Sequence, residues 1–571
     1  MTNKHNEKKR TVNHYLLDLS KELLNICLTR NTADGNLYTG GIGSWGFLQM
    51  KMSENLSSSS LSSSSSSASP SSTKDEISYL HSALDATREA LYYCENKDQL
   101  IPATSSKATT TTTTTQQDSR INISLFTDDW IGAKCLLAAI LHKIGKYYET
   151  NNNKSVDPSN FINEAWEHAN DVIQHIEKLA IDNVDNYAGS SSSNSALFGG
   201  LAGALQAIWF LRQELQTKPQ FASMLVLNLT RSILIQGFAC AQQQQQQQQQ
   251  QHAVQSTTNN NNSGSSILLL KWNWKGEINW GTSHGVIGIL HSLLGLTNEE
   301  WIKLESPPYA LPRAKDVVQH TIDNLEQNCP MLQNAISNSS GNKNNRDNTK
   351  NNVTQDVLLG WSNGLSGYCL LLLKAAEVYD DVRYVQRVKV LAENIIWPCR
   401  DQYVKSNSNK NNKNQPTSIS LATGLAGNAY VFLALHRLDG NNYKYWILCA
   451  KEFTRLAVAN WEDALLRSRS TPSSSKSIPT GSGRKCHPFS LYTGLGGLVS
   501  LLLDLERPEV AHFPLYETKA KRRGFNIQLE QVNDEDQNQL EQDVVVDSAR
   551  PANEGVDFKE PSFERSFDDV V

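Results

Sequence analysis

The chain has 571 residues, 39% of them hydrophobic, and a net charge of −5. That balance argues against nonspecific attraction to nucleic acid or to an anionic membrane surface. No run of eighteen apolar residues occurs, so no transmembrane helix is predicted, and the N-terminal MTNKHNEKKR is not followed by a signal-type apolar core.

Taken in chain order, the sequence is a repeat. An amphipathic segment at about 12–30 precedes YTGGIG at 38–43, and a second at 76–95 precedes DDWIG at 128–132, a degraded copy that keeps only the second glycine. The amphipathic segment 160–180 is followed by FGGLAG at 198–203, and 219–238 by SHGVIG at 283–288. Then come 312–328 with SNGLSG at 362–367, 381–397 with ATGLAG at 422–427, and 443–460 with YTGLGG at 492–497. Seven glycine motifs thus alternate with seven amphipathic segments, the signature of a repeat architecture.

Each motif opens an apolar run, such as Ala204, Leu205, Ile208, Trp209 and Leu211, or Leu498, Val499, Leu501, Leu502 and Leu505. Runs apolar on all sides predict buried inner helices. The amphipathic segments predict outer helices; in 160–180, Phe161, Ala165, His168, Ile173 and Ile176 interleave with acids. The expected fold is all-α: an α/α toroid of seven inner and seven outer helices, with an open superhelix as the alternative.

Polar low-complexity stretches interrupt the repeat, at about 53–75, 104–118, 241–265, 334–353, 405–416 and 468–483. They carry little apolar surface to offset the entropy of ordering, and are expected as loop inserts. The expected domain is 12–517, followed by an acidic, disordered tail over 518–571. Without inserts and tail, roughly 400 residues remain, enough for a large core. The nine cysteines are scattered with no CxxC pair, which fits a reducing compartment.

The glycine pairs stand at inner-helix N-termini, where glycine allows close backbone approach. In a ring these ends converge on one mouth, and unpaired N–H groups with helix dipoles would favour anions there. Candidate binding residues at this mouth are Thr39, His284, Asn363, Thr423 and Thr493.

In these motifs the sequence resembles the eukaryotic lanthionine synthetase C-like family. LYTGGIG at 37–43 is similar to the family's LYTGWAG, and SHGVIGI at 283–289 to AHGLAGI. LLGWSNGLSG at 358–367 is similar to LVHWCHGAPG, and LATGLAGNAYVFLALHRL at 421–438 to LCHGSAGNAYAFLALYRL. HPFSLYTGLGG at 487–497 and FPLYE at 513–517 resemble PFSLFEGMAG and FPAFE. The resemblance implies an α/α toroid, peptide or glutathione as partner, and a cytoplasmic location with peripheral association at the plasma membrane. It also implies thiol addition to dehydrated Ser or Thr, with zinc on two cysteines and one histidine lowering the thiol pKa.

The sequence departs from that pattern at the metal. The three ligand slots hold Ser362, Ala422 and Thr423, which are poor or impossible zinc donors, so no zinc cofactor is expected. His284 takes the place of the family's proposed general acid and is the candidate catalytic residue. The carboxylate slot falls at Ser195-Ala196, and the acid of the last motif is Thr493. Cys486 and His487 could join His284 at a metal, although three ligands from two loops demand a close fit. Trp272, Trp274 and Trp280, ahead of His284, either roof the mouth or pack a loop. The expected function is therefore a degenerate, zinc-less binder of peptide, phosphopeptide or glutathione, against a zinc-independent thiol-adding enzyme using His284.

Overall fold

The computed structural model describes residue 21 and residues 42–62, 71–96, 122–152, 155–187, 195–218, 220–255, 269–339, 359–400, 418–439, 443–462, 464 and 488–517. The expected first outer helix at 12–30, Thr39, Cys486, His487 and the tail lie outside the described residues, residue 21 apart. The elements run α1 (Ile42–Ser62), α2 (Ser71–Glu95), α3 (Asp129–Thr150), α4 (Pro158–Tyr187), α5 (Leu201–Glu214) and α6 (Ser223–Gln255). A hairpin of β1 (Asn273–Trp274) and β2 (Glu277–Ile278) precedes α7 (Val286–Leu293), α8 (Asn298–Glu305), α9 (Ala314–Asp323), α10 (Leu325–Asn328) and α11 (Pro330–Ser339). The series ends with α12 (Leu365–Tyr379), α13 (Val382–Leu391, continued by a π turn Ala392–Ile396), α14 (Leu425–Leu438), α15 (Tyr443–Val458) and α16 (Gly496–Glu506).

The molecule is all-α apart from that hairpin among the described residues. Every glycine motif opens a helix, and those seven helices form a circuit. α1 packs on α3, α3 on α5, α5 on α7, α7 on α12, α12 on α14, α14 on α16, and α16 returns to α1. The return contact closes the series that an open superhelix would leave apart. α2, α4, α6, α13 and α15 each pack on the inner helix before them. Burial follows the two layers: Leu201 through Leu211 of α5 are buried on every side, whereas α4 buries the stripe Ala165, Ala169, Val172 and Ile176.

Three insert boundaries move. α1 runs on to Ser62, and Ser53 and Asn55 are buried, Asn55 Nδ2 donating to the Leu503 carbonyl at 2.7 Å, so no insert begins at 53. α6 continues through the glutamine run to Gln255, because glutamine is a good helix former and the apolar half of α6 supplies the nucleus. α11 extends to Ser339. α6 also contains a stretch, Ser223–Gln247, long and apolar enough to span a membrane by length and composition. Half of it is buried, with Val226, Leu229, Ile233 and Leu234 in the core, which is the pattern of an outer ring helix.

Glycine is required at the motifs by space. A Cβ on Gly285, Gly424 or Gly494 would strike the carbonyl of Asn279, Ser418 or Pro488, and one on Gly288 or Gly427 that of Thr282 or Leu421. In each case the obstacle is six residues earlier, so the loop folds back over its own helix entry. The degraded repeat solves its N-terminus differently: the Asp128 carboxylate caps α3 by accepting from Ile131 N at 2.8 Å.

Candidate functional site

Successive motif loops are tied by backbone. Counting back from the first glycine, the second residue of each loop bonds its counterpart in the next. Phe198 N donates to Ser283 O (2.8 Å), Ser283 N to Ser362 O (3.2 Å), Ser362 N to Ala422 O (2.8 Å) and Ala422 N to Tyr492 O (2.9 Å). These residues are buried, and the residue after each one, just before the glycine, is half-buried: Gly199, His284, Asn363, Thr423 and Thr493. The chain of bonds therefore sets four of the five expected mouth residues in register, one per repeat; Thr39 lies outside the described residues.

The metal slots fall within this chain, and their chemistry does not suit zinc. Ser362 Oγ donates to Ser283 Oγ at 3.0 Å, and Ala422 offers only a methyl group. Thr423 Oγ1 sits in a hydroxyl cluster with Ser420 Oγ (3.3 Å) and Ser418 Oγ (3.2 Å). The last repeat copies this motif, with Thr493 Oγ1 2.6 Å from Ser490 Oγ. Zinc needs thiolate, imidazole or carboxylate, and among the described residues no group of three His, Cys, Asp or Glu side chains is placed to hold a metal ion. Ser195, at the carboxylate slot, gives its hydroxyl to Gln236 Oε1 at 2.7 Å.

His284 lies under a roof. The hairpin turn at Lys275 and Gly276 has positive φ at both positions, which sets a tight two-residue reversal. That reversal lays the Trp274 ring over the imidazole, with centroids 4.4 Å apart and planes 14° apart, while Phe198 meets it edge-on at 5.6 Å. Burial lowers the His284 pKa to about 4, Lys275 pushing the same way and the Phe198 backbone opposing. The imidazole is neutral at neutral pH, and its buried Nδ1 lacks a hydrogen-bond partner. Trp272 does not roof the mouth; its Nε1 donates to Ile233 O at 2.9 Å inside the core.

Fewer helix N–H groups are open to an anion at the mouth than the sequence suggests. Val286 N and Leu425 N, opening α7 and α14, and Leu495 N, just before α16, already donate to Asn279 O, Ser418 O and Pro488 O at 2.8–2.9 Å. The fold-back that demands glycine also consumes these N–H groups, leaving the helix dipoles and Lys275 as the positive features.

Sequence reasoning gave no role to what fills the interior. Gln206 Nε2 on α5 donates to the carbonyls of Leu515 and Tyr516, both at 2.8 Å. His291 on α7 stacks on Tyr516 at 3.7 Å, and Phe513 packs on Trp361, Tyr430 and Tyr492. A segment touching α5, α7, α14 and two motif loops at once lies inside the circuit. The FPLYE motif was the available signal, and it marked kinship without indicating burial. The buried thiols are kept neutral: burial drives the Cys369 and Cys135 pKa values far up, and that of Cys449 to about 12.

Comparison with known proteins agrees with this architecture. The family model described as lanthionine synthetase C-like protein matches residues 155–518. The LanC-like protein GCL1 of Arabidopsis thaliana is 28% identical over 248 residues, covering 43% of this chain and 45% of the relative. Glutathione S-transferase LANCL1 of Danio rerio is 27% identical over 163 residues, 28% of this chain and 32% of the relative. The chain thus spans less than half the length of either relative in these matches. The family match covers more than half of the chain, and the two repeats before residue 155 complete the same helical circuit, so the chain belongs to the lanthionine synthetase C-like family.

Proposed function

We propose that this protein is a zinc-less, catalytically degenerate member of its family that binds a peptide or glutathione at the glycine-loop mouth. The observation that carries the reading is the donor set: two hydroxyls and a methyl in the slots Ser362, Ala422 and Thr423, with the hydroxyls already bonded to Ser283, Ser418 and Ser420. Without a metal, a thiol of ordinary pKa near 8.5 stays mostly protonated at neutral pH, so its nucleophilic form is scarce. Glutathione enters because one relative is named a glutathione S-transferase. Lys275 and the inner-helix dipoles supply the attraction for its carboxylates or for a phosphopeptide.

Calorimetry with glutathione and with a phosphopeptide tests this reading. Binding at millimolar ligand or below, unaffected by chelator, is expected; no heat with either ligand removes it. The competing reading is thiol addition without zinc, with His284 moving the proton. Its support is the unpartnered Nδ1; against it stands a pKa near 4, which leaves no imidazolium at neutral pH. A dehydroalanine peptide incubated with glutathione distinguishes them: thioether product above the uncatalysed rate, lost in His284→Ala, establishes the enzyme.

A further inference from the structure

The roof over His284 has two fixed stems and a lightly held middle. On one side Trp272 is buried, its Nε1 donating to Ile233 O at 2.9 Å and its ring lying 2.8 Å from where a Cβ on Gly237 would stand. On the other side Val286 N donates to Asn279 O at 2.9 Å and Thr282 N to Ser362 O at 2.7 Å. Gly281 lies so close to the next loop that a Cβ there would meet Asn363 Oδ1 at 2.5 Å and Ser362 O at 2.7 Å. Both stems are thus bonded into the body of the molecule.

The hairpin between them is held by two residue pairs, Asn273 with Ile278 and Trp274 with Glu277. A two-stranded ribbon this short is marginal in water by itself. Its tip, Lys275, Gly276 and Glu277, is exposed, and a Cβ on Gly276 would meet nothing within 4 Å. Half-buried Trp274 fastens the tip to the mouth by its stack on His284, with Lys275 Nζ 5.9 Å from the centre of the indole. The closed stack carries a penalty, because His284 Nδ1 beneath it is buried without a hydrogen-bond partner, a cost relieved once water reaches the nitrogen. A short ribbon with an exposed tip and an unmet polar atom beneath it opens locally at low cost while its stems stay in place.

We propose that residues 273–278 are a lid over the glycine-loop mouth, latched by Trp274, which opens on its stems to admit a guest to His284. The proposal rests on the mouth being the binding site argued above, and adds what controls entry. Closed, the indole occupies the face of the imidazole that a guest would use, so apparent affinity scales with the open fraction. The turn sets that fraction. Positive φ at Lys275 (55°) and Gly276 (92°) is the reversal best served by Asn-Gly, so the lysine leaves the closed hairpin weaker than the same turn with asparagine.

The test labels His284 in the full chain at pH 7 with diethyl pyrocarbonate, a small reagent for reachable neutral imidazole, and follows the rate by mass spectrometry. Trp274→Ala should speed labelling ten-fold or more. Gly276→Ala, which strains the tip at positive φ without touching His284 or Trp274, should speed it about three-fold or more. Lys275→Asn should slow it at least two-fold relative to Lys275→Gln, which removes the same charge without favouring the turn. Labelling indifferent to both tip substitutions overturns the lid, even if Trp274→Ala folds poorly. Glutathione affinity, read by calorimetry, should change across the tip variants by the same factors as the labelling rate. Affinity that stays constant while labelling changes overturns the lid as the gate for a guest. Labelling that follows the tip with no glutathione or phosphopeptide bound to any variant establishes the lid by reagent entry and removes only the function proposed above.

Discussion

At the glycine end of the inner helices, neighbouring repeats are joined by backbone bonds, and the serine and threonine hydroxyls there bond to one another. At the far end they are joined by ionised side chains: Lys51 with Asp504, Lys143 with Glu54 and Glu214, Arg437 with Glu517. The difference explains how side chains at the glycine end can change while the fold is kept. The bonds from Phe198 to Ser283, Ser362, Ala422 and Tyr492 use only N–H and C=O groups, so the loop contacts are indifferent to what each side chain is. Ligand residues can be replaced there without loosening the circuit. The far end has no such freedom, because its contacts are the side chains themselves.

The largest expected effect comes from refilling the metal slots. Ser362 and Ala422 are in backbone contact, and Thr423 adjoins Ala422, so the triple variant Ser362→Cys, Ala422→Cys, Thr423→His should acquire zinc. A Kd at or below about 1 μM, worth about 8 kcal/mol, is expected, with one equivalent retained through dialysis. Elemental analysis of the variant and parent chains reads the result. A variant that stays metal-free would mean that the loops are not in ligand register, and the contrast between the ends would lose its basis.

Next is Lys51→Met at the far end. The Lys51 and Asp504 side chains are 11% and 9% exposed, so removing the cation leaves a carboxylate buried. The cost should be about 3–5 kcal/mol by denaturant unfolding, and Lys51→Met with Asp504→Leu should recover much of it. Equal losses in the single and double variants would show that the pair is not the element joining α1 to α16.

The pH dependence at the glycine end follows from His284. Its folded pKa of about 4 lies below the ordinary 6.5, so the unfolded chain binds more protons between those values. Stability is fully present above about pH 6.5, falls as pH drops, and levels off below about pH 4. His291, pushed down by burial, titrates in the same direction. His284→Gln should flatten the decline by about 1–2 kcal/mol at pH 4.5 after solvent screening, as read by urea midpoints across the range. An unchanged profile would mean that the Trp274 roof does not desolvate the imidazole.

Much of this was legible in sequence, for identifiable reasons. A glycine that must avoid a carbonyl six residues back leaves a mark at fixed spacing, so the helix entries at Gly203, Gly288, Gly367, Gly427 and Gly497 could be read directly. The mouth residues His284, Asn363, Thr423 and Thr493 followed from the same register. The insert boundaries are less legible, because Ser57–Ser62 and the glutamine run extend helices whose nuclei lie earlier, which composition does not register. Two features were hidden altogether. Whether Trp274 or Trp272 covers His284 depends on the hairpin reversal at Lys275-Gly276, and the far end joins residues about 450 positions apart, such as Lys51 and Asp504. The availability of helix N–H groups was also overestimated, since the donors to Asn279, Ser418 and Pro488 are used within their own loops.

The smallest expected effect separates a vestigial slot from a working one. Thr423→Val removes the hydroxyl that contacts Ser418 and Ser420 and retains the shape of the side chain. The local turn survives, because its backbone bond runs from Thr423 N to Ser420 Oγ at 3.2 Å and needs no threonine hydroxyl. Half-buried, the position exposes no large cavity and strands no charge, so the loss should stay below about 1 kcal/mol. Ligand affinity at the mouth should fall by less than ten-fold if Thr423 only borders the guest, as a residue already bonded within its own loop would. A loss of a hundred-fold or more in glutathione affinity, with stability unchanged, would instead make Thr423 a direct ligand-binding group, and the hydroxyl cluster would then be a recognition element of the mouth.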